Sequence, residues 1–115
     1  MIPTREFVLA ELFKVRTTLL SFRVRRIGVF GSVSRNTARD DSDIDIIVDF
    51  ASSDENAANL FGLQYFLRDH FQRKVDVITE SGLKSFSRDL VMRDAVFLEG
   101  LHEMEPEAEK ALSQA

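Results

Sequence analysis

Residues 43–50 read Asp43-Ile44-Asp45-Ile46-Ile47-Val48-Asp49-Phe50, a two-residue alternation that an extended strand satisfies. Ile44, Ile46, Val48 and Phe50 fall on one face, and Asp43, Asp45, Ile47 and Asp49 on the other. Such a strand has to bury its apolar face, and it brings two carboxylates together at its start. Asp is poorly suited to strands, so its double use here calls for a chemical reason. The bland alternative, an edge strand with a solvated face, accounts for the two acids taken alone.

Two further runs share this character. Residues 26–30 are short, apolar and β-branched, and they stop at Gly31. Residues 74–79 place Val75 and Val77 on one face and Asp76 and Ile78 on the other. Asp76 stands mid-strand between valines, where an unpaired carboxylate has no structural purpose. Helical spacing fills the rest of the chain. Leu9, Leu12, Phe13, Arg16, Leu19 and Leu20 predict one helix over residues 5–21, with Thr4 as its N-cap. Leu60, Leu63, Leu67 and Phe71 predict another over 57–71. A last helix is expected over 86–98, with Phe86, Leu90, Val91 or Ala95, and Leu98 as its apolar stripe. One or two helical turns are expected over 32–38, and Ser81-Gly82 breaks the chain. The order α-β-(α)-β-α-β-α specifies a small α/β (α+β) domain, a three-stranded mixed sheet with helices packed against it. Residues 1–100 form that domain, and the acidic segment 101–115 is expected to be a mobile tail.

Composition narrows the functional classes. A length of 115 residues fits one domain. The chain has no cysteine, which excludes disulfides and thiolate metal sites and makes the cytoplasm the default compartment. No apolar run nears the roughly 20 residues of a membrane span, and the N-terminus lacks a signal-peptide pattern. A net charge of −4 argues against broad electrostatic binding to nucleic acid. Locally the sign reverses, because Arg23, Arg25, Arg26, Arg35 and Arg39 surround Gly31-Ser32. A solvated basic face accounts equally well for the first three, whereas Arg35 and Arg39 are candidates for phosphate contact.

The three strand acids carry the chemistry. Two carboxylates at about 5 Å repel by about 3 kcal/mol at an effective dielectric near 20, so a cluster of them needs counter-charge. Mg²⁺ fits, being a hard ion that takes a few carboxylates and completes its shell with water and phosphate oxygens. Two such ions can clamp the attacking and leaving oxygens of a phosphoryl or nucleotidyl displacement. Amides following Gly31 would be free to bind an anion. An EF-hand fails because Ile46 stands where the sharp glycine turn is required, and no Gly-Lys-Ser/Thr makes a Walker loop. His70 reads as helix surface and His102 as tail.

Gly31-Ser32, ten residues, Asp43-x-Asp45 and the later strand acid Asp76 resemble the nucleotidyltransferase superfamily related to DNA polymerase β, especially its minimal nucleotidyltransferases. The matching run is Gly31, Ser32, Arg35, Arg39, Asp41, Ser42, Asp43, Ile44 and Asp45, with Asp76 as the third carboxylate. Asn36 departs from it, standing where such proteins usually carry Gly; Asn is the residue best able to replace Gly at positive φ. Asp40, at a position often Pro, is a milder change. The resemblance implies that Asp43, Asp45 and Asp76 hold two Mg²⁺ ions. It also implies that Gly31, Ser32, Arg35 and Ser42 bind the nucleotide, and that Asp76 helps deprotonate an acceptor hydroxyl. The implied reaction is attack on the α-phosphorus of ATP with release of pyrophosphate. The implied partner is a HEPN-domain toxin, held in a hetero-oligomer and silenced by transfer of AMP to a tyrosine. Two alternatives remain at this stage: an antitoxin that inhibits by binding alone, and a transferase acting on a small molecule or an RNA end.

Overall fold

In the computed structural model, which describes residues 1–51 and 56–103, the central element is a four-stranded mixed sheet of order β3-β2-β1-β4. Strand β1 is Val24–Phe30, β2 is Ile44–Phe50, β3 is Val75–Thr79 and β4 is Val96–Phe97. β1 runs antiparallel to β2 and to β4, while β2 and β3 are parallel. The parallel pair is bridged by helix α4, Asn56–Phe71, because parallel neighbours need a long crossover.

The alternation in β2 resolves as the sequence requires. Ile44, Ile46, Val48 and Phe50 join Ile27, Val29, Val75 and Val77 in one core. Val8, Leu12 and Leu19 of the N-terminal helices and Leu63 and Leu67 of α4 close over it. Side chains of α4 also cap the outer edge of β3. Gln64 Oε1 accepts the Val77 amide at 3.1 Å, and Arg68 Nε donates to the Val75 carbonyl at 3.2 Å. Both bonds occupy backbone groups that an open edge would leave available for aggregation.

Four expectations are corrected. The N-terminal helix is two helices, α1 (Arg5–Lys14) and α2 (Arg16–Ser21), joined at Val15 with φ −104° and ψ 19°. Arg16 is buried there, and its guanidinium donates to the carbonyl of Phe13 at 2.8 Å and to that of Glu103 at 3.0 Å. The side chain thus takes a carbonyl of the last helical turn, and the buried stripe starts at Val8 rather than Leu9. The last helix, α5, is Ser85–Asp94 and buries none of its residues; Phe86 is 78% exposed. The sheet gains β4 from the end of that expected helix. Val96 and Phe97 pair with Val29 and Gly28, and a Cβ on Gly28 would lie 2.5 Å from the Val96 carbonyl oxygen. Finally, Leu101 is buried in the core, so the chain stays packed past residue 100; residues 104–115 of the expected tail lie outside the described residues.

Both histidines are more engaged than expected. The His70 ring stacks on Phe66 and meets Phe71 edge-on, with Nε2 3.3 Å from Glu11 Oε1. His102 Nε2 lies 3.0 Å from the Arg25 carbonyl oxygen. Among the described residues, no helix is long and apolar enough to cross a membrane.

Candidate active site

The site forms where β1 ends and β2 and β3 begin. β1 gives way at once to α3, a single turn over Gly31–Ser34. Gly31 has φ +68°, the left-handed region that favours glycine. A Cβ there would stand 2.5 Å from Asp45 Oδ2, well inside van der Waals contact. The turn backbone is therefore pressed directly against the Asp45 carboxylate, as the strand register demands: Phe30 pairs with Asp45 across β1 and β2.

On its other side, Asp45 pairs in register with Asp76 of β3. Asp43, one residue ahead of β2, shares their counter-charge. Lys74 Nζ lies 3.5 Å from Asp43 Oδ2 and 4.0 Å from Asp76 Oδ2. Asp43 and Asp76 keep 41% and 43% of their side-chain surface open to solvent. Asp45 is half-buried between the Gly31 turn and Asp76. Burial pushes its carboxyl pKa up, Asp76 and Asp43 push it further, and Arg35 and Lys74 oppose them. The three sequence-predicted acids thus come together at one end of the sheet, with Asp45 between the Gly31 turn and Asp76.

The remaining predicted residues surround this group. Ser32 lies in α3, and its carbonyl accepts the Thr37 amide at 2.9 Å. Arg35 caps α3, and its Nη1 donates to Asp94 Oδ2 at 2.8 Å. Ser42 closes the approach to β2: its hydroxyl accepts the Arg39 amide at 2.7 Å, while its own amide donates to the Arg39 carbonyl. Beside Gly31 and Arg35 opens a cavity of about 270 Å³, walled by Phe30 and by Leu90, Val91, Arg93 and Asp94 of α5.

Several contributors escape a motif reading. Lys74 carries the counter-charge, and its place directly before the β3 run is the signal that could have marked it. Arg73 donates to the carbonyls of Ser42 at 2.8 Å and Asp40 at 3.1 Å, fixing the loop into β2. Asp94 holds Arg35 from a helix some sixty residues away, a pairing with no local sequence signal. Asn36 has φ +56°, as expected for an asparagine standing in for glycine.

The carboxylate oxygens of Asp43, Asp45 and Asp76 are hard donors of the kind Mg²⁺ takes. The like-charge pressure on Asp45 and the Lys74 ammonium beside Asp43 and Asp76 are both consistent with a place for a cation. Among the described residues, these acids are not drawn into a ready-made cluster of three ligands.

Comparison with known proteins gives a consistent result. The family model of the nucleotidyltransferase domain matches residues 9–98. The protein adenylyltransferase MntA of Thermococcus cleftensis is 39% identical over 77 residues, covering 67% of this chain and 77% of that protein. MJ0435 of Methanocaldococcus jannaschii, named for the same activity, is 34% identical over 83 residues, covering 72% of this chain and 88% of that one. A solved minimal nucleotidyltransferase structure superposes with a TM-score of 0.63 at 34% identity, over 76% of this chain and 93% of that one. A chain of a toxin–antitoxin complex crystallised with AMP-PNP shares the fold, with a TM-score of 0.61 at 24% identity over 89% of this chain and 85% of that one.

Proposed function

Because the chain belongs to the nucleotidyltransferase domain family in its minimal form, we propose that it is a protein adenylyltransferase acting as an antitoxin. In this reading it moves AMP from ATP onto a tyrosine hydroxyl of a cytoplasmic HEPN-domain toxin, bound to it as a hetero-oligomer. The observation that carries the reading is the register of Asp45 with Asp76, with the Gly31 backbone packed against the Asp45 carboxylate. The relatives named for protein adenylylation support the reaction class. The toxin–antitoxin likeness is one of fold, and the partner is our assignment.

The residues divide the work. Gly31 lets the backbone approach closely, so that its amide and the Ser32 hydroxyl can hold the β- and γ-phosphates. Arg35 adds positive charge beside them, and Ser42 stands at the entry to β2. Asp43, Asp45 and Asp76 would hold two Mg²⁺ ions, which neutralise phosphate charge and lower the barrier to displacement. Asp76 would also help deprotonate the acceptor hydroxyl. The acceptor oxygen bonds to the α-phosphorus, the bond to the β-phosphate bridging oxygen breaks, and pyrophosphate leaves. Asp43 and Asp76 are half-exposed, which supports an acceptor as large as a protein.

The test is label transfer. With ATP labelled at the α-phosphate, Mg²⁺ and the toxin, the protein should label the toxin on tyrosine and release pyrophosphate in equal amount. EDTA should stop both. Neutralisation of the toxin by Asp43→Asn/Asp45→Asn/Asp76→Asn protein, without any label, would instead establish inhibition by binding alone.

A further inference from the structure

The four residues of α3 are too few to hold a helical turn in place unaided, so the Gly31–Ser32 turn depends on anchors from outside. On one side these come from α5: the Ser34 hydroxyl donates to the Asp94 carbonyl, and Arg35 pairs with the Asp94 carboxylate. On the other side they come from α1, through Asn36. Its Oδ1 accepts the backbone amide of Arg5 at 2.8 Å, one of the orphan donors of the first turn of α1. Its Nδ2 donates to both carboxylate oxygens of Glu6, at 3.2 Å each. Arg5 completes the link, donating to Glu6 Oε1 at 2.9 Å and to the Ser34 carbonyl at 3.0 Å. The Asn36 amide meanwhile closes the turn on the Val33 carbonyl at 3.1 Å.

A residue needed only for positive φ would have no use for these contacts; glycine would serve better. We propose that Asn36 is a positioning residue. Its side chain, through Arg5 and Glu6, fixes α3 against α1 and so sets the pose of the Gly31–Ser32 turn over Asp45. The functional half of this proposal rests on the nucleotide-binding reading above. The structural half rests on the contacts alone. Asn36 touches no reacting atom in this account.

Three variants separate the side chain from the backbone. Asn36→Gly keeps the left-handed turn and removes the amide. Asn36→Asp keeps the acceptor for Arg5 but sets a carboxylate against Glu6. Asn36→Asp with Glu6→Gln restores the bond with its donor and acceptor exchanged. AMP-PNP binding with Mg²⁺, read by calorimetry, should weaken about fivefold in Asn36→Gly, the loss expected for one or two exposed polar links. KM for ATP should rise with it, while kcat changes by less than about twofold. Asn36→Asp should bind more weakly still, and the double variant should recover most of the wild-type affinity. Unchanged binding in Asn36→Gly, or a double variant no better than Asn36→Asp, overturns the proposal. If the wild-type protein binds no AMP-PNP, the proposed function fails. Hydrogen exchange then decides the anchoring: faster exchange in α3 and the first turn of α1 of Asn36→Gly supports it, and unchanged exchange overturns it.

Discussion

Gly31 and Asp45 are the pair on which the site turns. Replacing Gly31 by Ala would force a side chain into φ +68° and set its Cβ 2.5 Å from Asp45 Oδ2. Strain in the left-handed region alone costs about 1–2 kcal/mol. Gly31→Ala should therefore lower the urea midpoint and reduce nucleotidyl transfer by at least about tenfold; near-wild-type transfer would show that the close approach is not needed. Asp45 makes a second prediction, with an unusual sign. Its folded pKa is raised, so the ionised form is penalised in the native state. That penalty is present at neutral pH and is released as pH falls through the folded pKa. In EDTA at pH 7, Asp45→Asn should melt above wild type. The advantage should shrink on acidification, and activity should be lost. A variant that melts below wild type at pH 7 would contradict this. At this scale the sequence was highly legible. Asp43, Asp45, Asp76 and Gly31 announce themselves by alternation, by spacing and by the cost of acids in strands. Asp94 does not, because its partner Arg35 caps a different helix far away in the chain, and Lys74 is marked only by its place before β3, since Asp43 comes from the start of another strand.

Elements differ in how firmly they are held. β2 is central, and its core residues are fully enclosed, whereas α5 buries nothing. Hydrogen exchange should follow that contrast, with α5 amides exchanging at least about a hundredfold faster than those of Ile46 and Val48. Equal protection would show that α5 is a structural wall rather than a loosely held one. The four strands and five α-helices of the described residues were legible only in part. Strong periodicity marked β2, β3 and α4. β4 was hidden because two residues show no period, and the break at Val15 because a buried arginine continues the helical spacing of the apolar stripe. The stripe on α5 has helical spacing as well, yet Phe86 and Leu90 face solvent; amphipathic spacing reports a helix, not the presence of something to cover it.

Across the molecule, the far end of the sheet is locked by an ion pair between the buried Glu80 and the half-exposed Arg26. Glu80 accepts from Arg26 Nε at 2.9 Å and from Nη2 at 2.5 Å, and Arg26 lies over the Phe97 ring. These bonds hold the Glu80 carboxyl pKa below its ordinary value. The stabilisation is therefore full above the unfolded pKa and lost as pH falls through the folded one. Glu80→Gln should cost about 2–3 kcal/mol at pH 7 and less at pH 4, read from denaturant midpoints. A pH-independent cost would contradict the pairing. That lock ties β1, β4 and the turn after β3 into one frame, on which the acidic end of the sheet is presented outward. Whether that end transfers AMP to a protein is decided by the intact mass of the toxin after incubation with ATP, Mg²⁺ and this protein. The account predicts a gain of one AMP, absent with Asp43→Asn/Asp45→Asn protein that still folds and still binds the toxin. An unmodified toxin with folded wild-type protein, or the same gain with the double variant, would contradict it.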